Sequence, residues 1–253
     1  MRALLVDIGN SRIKWAWLSD DRLGKAQAAD YSGWRPRDFA NRVIESRLGI
    51  DRILVASVAA DDVSDALTAG ARLAGAPAPE KITTRRSACG VTIGYIEPWR
   101  LGVDRLLAMI AARRRFPRRP VCVVAIGTAM TIDLLRADGR HSGGAIIPAP
   151  PLMVSSLLDG TSGIRRRAQG GATGRGRALF GRSTRAGVEQ GSRFAAAAAV
   201  DRAISEAREL VGRVPQLVLT GGGASTVRPL IHSKTLVVPD LVLEGLAAWC
   251  AAG

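Results

Sequence analysis

The feature that most constrains this chain is a weak internal repeat. LLVDIGNS at residues 4–11 runs a buried strand into a small polar turn, and VCVVAIGTA at 121–129 does the same. A second extended stretch follows each turn, RIKWAWL at 12–18 and MTIDLL at 130–135. Each copy opens about half of the chain. Between the halves stands FPRRP at 116–120, whose two prolines end any helix. Two similar β-α-β halves predict an α/β protein of two lobes, residues 1–116 and 117–253, with a ligand cleft between them.

Periodicity fills in the halves. It predicts a helix over 36–48 with Phe39, Val43, Ile44 and Leu48 on one face, a strand over 52–58 and a helix over 61–74. Short extended pieces at 83–84 and 91–96 precede an apolar helix over 101–115 that ends in three arginines, suited to the negative end of a helix dipole. The second half reads as a strand over 143–148, a helix starting at 151–158, an irregular loop over 160–182 and helix over 184–211. A strand at 216–219, the turn TGGGA at 220–224, a strand at 235–238 and a helix from 240 complete it.

Composition excludes several kinds of chemistry. Cys89, Cys122 and Cys250 are widely spaced and odd in number, which fits neither a zinc site nor a disulfide framework. With only His141 and His232 as histidines, a His-based metal site or catalytic triad is disfavoured too. The work must fall to carboxylates, hydroxyls, backbone amides and cations. A net charge of +14 raises the question of nucleic acid. Yet only four of the 36 cations are lysine, and aromatics make up 4% of residues, so stacking platforms are scarce. The clusters Arg113–Arg115 with Arg118 and Arg119, and Arg165–Arg167 with Arg175 and Arg177, read as solvated surface or anion attraction before nucleic-acid binding. No apolar run reaches the ~20 residues that span a bilayer, and Asp7 interrupts any signal-peptide core, so a cytoplasmic protein without a membrane partner is expected.

Three glycine-containing turns carry the candidate chemistry: DIGNS (7–11), AIGTAMT (125–131) and LTGGGAS (219–225). Glycine lets backbone amides approach a bulky anion, and successive N–H groups with hydroxyls cradle phosphates. Gly9-Asn10 also reverses the Asn-Gly order that a plain two-residue hairpin prefers. A tight hairpin explains each turn singly; three at the ends of buried strands point to phosphate. Lys14 can reach back to a terminal phosphate as a point charge. Neither a P-loop nor a dinucleotide glycine motif is present. Asp104, near the head of the apolar helix and beside Arg105, is either a helix-start charge or a proton acceptor for a hydroxyl. Asp7 and Asp133 are either strand-end acids or partners of a hydrated Mg²⁺.

Taken in order, DIGNSRIKW, GYIEPWRLGVDRLLA, GTAMTIDLLRADGRHSGGAIIP, LTGGGA and VPDLVLEGLA resemble the type III pantothenate kinases from residue 1 to about 249. That resemblance implies a duplicated actin-like (ribonuclease H-like) fold shared with acetate and sugar kinases, and phosphorylation of pantothenate by ATP at the first step of coenzyme A synthesis. It implies that Asp7, Ile8, Gly9, Asn10, Ser11, Arg12, Ile13 and Lys14 form the first phosphate turn, with Asp7 near Mg²⁺. Gly127, Thr128 and Ala129 would form the second phosphate turn, and Gly221, Gly222 and Gly223 would line the adenosine. Tyr95, Gly102, Val103 and Arg105 would hold pantothenate, with Arg105 on its carboxylate and Asp104 as the general base. Thr184 would contact pantothenate across a homodimer interface. The chain departs from the family at Ala125, where relatives carry an aspartate that ligates potassium or ammonium, and at Ala149, where glycine is common. Gly223 and the arginine-rich loop also depart from it. The alternative is a catalytically weak regulatory or nucleic-acid-associated factor on the same scaffold. Another sugar or acid kinase is disfavoured by RLGVDR.

Overall fold

The structure is a computed structural model and describes residues 1–44, 49–174 and 176–252. Its strands are β1 (Arg2–Ile8), β2 (Arg12–Ser19), β3 (Arg22–Leu23), β4 (Gln27–Asp30), β5 (Arg52–Ser57), β6 (Glu80–Lys81), β7 (Ser87–Ala88), β8 (Val91–Thr92), β9 (Val121–Ile126), β10 (Ala129–Leu135), β11 (His141–Pro148), β12 (Gln216–Thr220) and β13 (Thr235–Val237). The helices are α1 (Pro36–Phe39), α2 (Asp61–Leu73), α3 (Val103–Arg115), α4 (Pro150–Gly160), α5 (Ser162–Ala168), α6 (Thr184–Val211), α7 (Ala224–Val227) and α8 (Leu241–Ala252). They form two compact units. One comprises Met1–Arg115 with Asp240–Gly253, the other Phe116–Pro239.

The repeat in the sequence is a repeat of topology. The first unit orders its main sheet β3-β2-β1-β5-β6, with β4 also pairing β2; the second orders its sheet β11-β10-β9-β12-β13. In both, an antiparallel hairpin opens the sheet and a strand arriving after a helical crossover pairs in parallel with its first strand. The apolar run that predicted β1 is buried on both faces of the sheet. Leu4, Val6, Ile8, Ile13 and Trp15 face Phe39, Val43, Leu67 and Ala71, while Ala3 and Leu5 are equally buried on the opposite face of β1. That second face is covered by α3 and α8. In the second unit Cys122, Val124, Ile126, Met130 and Ile132 pack with Ala196, Ala197, Val200 and Ile204 of α6.

Helix ends follow local chemistry. In α2, Asp61 and Asp62 occupy the first turn and Arg72 the last. Ser183 caps α6 by accepting a hydrogen bond from the Ala186 amide at 3.1 Å, and Gly212 ends that helix in the left-handed conformation. Helix over 36–48 is cut short: α1 gives way to a π-helical turn over Ala40–Ile44, and Leu48 lies outside the described residues. The loop expected over 160–182 contains α5. Its Arg165 ties back to Asp159 and to the Leu158 carbonyl, which stabilises a turn that its Gly- and Arg-rich sequence did not signal.

The largest difference from the sequence-based boundaries concerns the tail. A division into 1–116 and 117–253 assigns the last helix to the second half, but α8 packs on α3 in the first unit. The helices approach closely at Gly245, where a β-carbon would collide with the Leu107 carbonyl. Farther along, Arg115 clasps both carboxylate oxygens of Glu244, at 2.6 and 2.5 Å. Because a backbone oxygen inside a helix cannot step aside, Gly245→Ala is expected to cost at least about 3 kcal/mol, the upper end for overpacking. A thermal melt followed by circular dichroism reads this as a clear fall in Tm; an unchanged Tm would contradict the close packing.

Candidate active site

In the first unit the site starts from the β1–β2 hairpin. Ile8 pairs with Ile13 and Asp7 with Lys14, so the acid and the lysine stand side by side at the hairpin's closed end. The Gly9 amide bonds the Arg12 carbonyl at 3.0 Å, closing the turn, and the Gly9 carbonyl accepts from the Tyr31 hydroxyl at 2.6 Å. Asn10, Ser11 and Arg12 are exposed, whereas Ile8 and Ile13 are wholly buried. The two isoleucines therefore anchor the turn from below and can offer a ligand backbone groups only.

The head of α3 meets the same place. Burial, and secondarily the charge of Asp104, push the Asp7 carboxyl up to about 7, against the opposing pull of Lys14. Asp104 folds back over Gly102, two residues earlier: a β-carbon on Gly102 would fall 2.5 Å from Asp104 Oδ1, so glycine there makes room for the carboxylate. Arg105 is only 5% exposed. Its Nη1 donates to the Tyr95 hydroxyl at 3.0 Å and its guanidinium carbon lies 5.6 Å from the centre of the Tyr95 ring. Val103 is buried, so its side chain belongs to the core. Lys14 Nζ lies 3.4 Å from Oδ1 of Asp240, the residue just before α8. Sequence reasoning passed over Asp240, although an acid directly before an apolar helix was signal enough.

The second unit repeats the arrangement with different residues. The Gly127 amide bonds the Ala129 carbonyl at 2.9 Å, which leaves Gly127 and Thr128 exposed at the tip. The third glycine turn packs directly beneath. Gly221 has φ +89° and a β-carbon there would strike the Ile126 carbonyl, while the Gly223 amide bonds that carbonyl at 3.0 Å. Gly222 has open space around it. Ala125 occupies the register position between Thr131 and Thr220, so this spot offers two hydroxyl-bearing neighbours and no carboxylate. Thr184 is the half-buried first residue of α6.

One expectation needs correcting. Asp133 was a candidate Mg²⁺ partner, but it is 2% exposed and bonded to buried His141 Nε2 at 2.9 Å, a core pair with no opening to a metal. Arg165–Arg167 belong to α5, and Arg175 lies outside the described residues. Among the described residues no group of three Asp, Glu, His or Cys side chains forms a metal cage, and no helix is long and apolar enough to cross a membrane. Asp7 remains the carboxylate that fits Mg²⁺, an ion that keeps its waters and takes one or two acids. Its burial beside a second acid is a setting that a cation relieves.

Solved structures with this fold come from several activities. The chain aligns over 98% of its length, and 98% of the other, with a protein of Campylobacter jejuni described as a Baf family transcriptional activator (TM-score 0.60, 17% identity). It also aligns over 100% of its length with component A of the (R)-2-hydroxyglutaryl-CoA dehydratase of Acidaminococcus fermentans (97% of that chain, TM-score 0.53, 12% identity). At such identities the likeness defines the class: a duplicated, actin-like α/β fold. Sequence defines the family. The type III pantothenate kinase profile matches residues 3–206. Proteins described as type III pantothenate kinase are 36% identical in Nitrosococcus oceani, over 96% of this chain and 92% of that one. The Stenotrophomonas maltophilia relative is 37% identical, over 97% and 96%. The chain belongs to the type III pantothenate kinase family.

The raised Asp7 carboxyl has a stability consequence. Its folded-state value of about 7 exceeds the ordinary 3.8, so the folded protein holds this proton more tightly than the unfolded chain. Asp7 therefore subtracts stability as pH rises through that window, with the full cost present above about 7. Asp7→Asn is expected to raise Tm at alkaline pH and to leave it nearly unchanged below about pH 4. Paired melts across pH check this; an Asn variant that is less stable at alkaline pH would contradict it.

Proposed function

We propose that this protein transfers the γ-phosphoryl group of ATP to the primary hydroxyl of pantothenate, giving 4′-phosphopantothenate, the first step of coenzyme A synthesis. The observation that carries this reading is the head of α3, where Asp104 stands beside the Asp7 carboxylate and next to the buried Arg105 with its half-buried partner Tyr95. Family membership over nearly the whole chain supports the same substrates.

In this reading Arg105, oriented by the Tyr95 hydroxyl, binds the pantothenate carboxylate, with Gly102 and Val103 contributing backbone. Asp104 accepts the proton of the attacking hydroxyl. The turn from Asp7 to Lys14 and the turn of Gly127 and Thr128 bind ATP phosphates through amides, hydroxyls and the Lys14 ammonium, while Gly221 and Gly222 border the adenosine. Phosphoryl transfer needs mostly positioning and charge stabilisation, and these are the parts that supply it. Mg²⁺ held by Asp7 would neutralise charge on the phosphates. A homodimer would bring Thr184 of one copy to the pantothenate of the other. A monovalent cation is left out of this reading: Ala125 brings no side-chain oxygen, and its register neighbours Thr131 and Thr220 bring neutral hydroxyls and no carboxylate. The proposed setting is the cytoplasm.

Two measurements test this. Asp104→Asn preserves shape and removes the base, so kcat for pantothenate phosphorylation is expected to fall about 10²- to 10⁴-fold, with the melting curve retained. Full activity in that variant would remove Asp104 from the mechanism. Exchanging potassium or ammonium for a bulky organic cation at constant ionic strength is expected to leave turnover unchanged. A strict potassium requirement would mean that oxygens from elsewhere have replaced the missing acid.

A further inference from the structure

Asp240 has no part in the scheme above, yet its place is fixed from both sides. It precedes α8 directly, and its carbonyl accepts the Glu244 amide at 3.0 Å, which ties it to the first turn of that helix. The helix is in turn held against α3 by the close approach of Gly245 to Leu107 and by the two-pronged Arg115–Glu244 pair. The Asp240 carboxylate therefore starts from a rigid support and lies 3.4 Å from Lys14 Nζ. The Lys14 backbone is held between Asp7 on β1 and Ala28 on β4. Its four-carbon stem carries many rotamers, and confining them costs entropy that some partner must offset before a phosphate arrives.

We propose that Asp240 is a positioning residue that holds the Lys14 ammonium beside the Gly9–Ser11 turn, so that the cation is already aimed when the nucleotide phosphates bind. The inference rests on the kinase reading and adds a residue to it. Two acids flank the lysine. Asp7 lies across the ladder toward the strand's inner end, and Asp240 approaches from the helix side. Lys14 and Asp240 are both partly open to solvent, at 29% and 38%. Such a pair is among the weaker ion pairs, so it biases the lysine yet yields to a phosphate oxygen of higher charge.

The test is a double-mutant cycle with the full-length protein, reading KM for ATP and kcat at saturating pantothenate, with a melting curve for each variant. Asp240→Asn is expected to raise KM for ATP several-fold while kcat and Tm stay near wild type. Lys14→Met is expected to raise KM at least as much, and the double variant no further than Lys14→Met alone. Asp240→Glu should recover most of the loss. Additive effects in the double variant, or an unchanged KM in Asp240→Asn, would overturn the proposal. So would a loss tracking a lowered Tm, since that is what a merely helix-stabilising acid gives. A wild-type protein that does not phosphorylate pantothenate overturns the kinase reading and this inference together, and shows itself before any variant is compared.

Discussion

The packing of α8 against α3 is the contact on which the first unit's chemistry depends. At Gly245 the two helices come so near that no side chain fits against the Leu107 backbone, and Arg115 with Glu244 secures the pair away from that point. The consequence reaches well beyond core packing. The head of α3 supplies Asp104 and Arg105, and the residue before α8 is Asp240. One crossing therefore sets the relative positions of three charged groups. The β1–β2 ladder sets the other two, Asp7 and Lys14. It also gives a reason for the chain's last helix to return to the unit in which the chain began.

The cost of this arrangement is electrostatic. A half-buried carboxylate with another acid beside it is poorly solvated, and Asp7 responds by holding its proton up to about pH 7. A structural acid would gain nothing from that position. An acid that meets a metal cation would, because the added positive charge favours its ionised form. The second unit shows the contrast. Its equivalent strand ends in Ala125 between two threonines, and its buried acid, Asp133, is satisfied by His141 in the core. The duplicated halves have thus diverged: one keeps a charged strand end, the other a neutral one framed by two glycine turns.

Much of this was legible in the sequence, for identifiable reasons. Strand–turn–strand units show through because short apolar runs that end in glycine turns are local signals, as in LLVDIGNS and VCVVAIGT. α3 and α6 show through because they are long and carry charges or caps at their ends. The unit to which α8 belongs was not legible: an apolar helix fits either sheet, and the deciding evidence is a backbone contact distant in sequence. The Asp133–His141 pair was missed for the same reason, since burial of an acid depends on the strand facing it. In the site, the glycine turns and Asp104 were readable as residue types. The Asp240–Lys14 contact was not, because 226 positions separate its partners.

The central claim is that ATP and pantothenate are the substrates joined by these residues. Its most direct test is the identity of the product. Incubation of the wild-type protein with ATP, Mg²⁺ and pantothenate, followed by phosphorus NMR and mass spectrometry, is expected to give ADP and a phosphate monoester on the primary hydroxyl of pantothenate in equal amounts. ATP that is hydrolysed while pantothenate stays intact, or phosphate that lands on a different acceptor, would contradict the account.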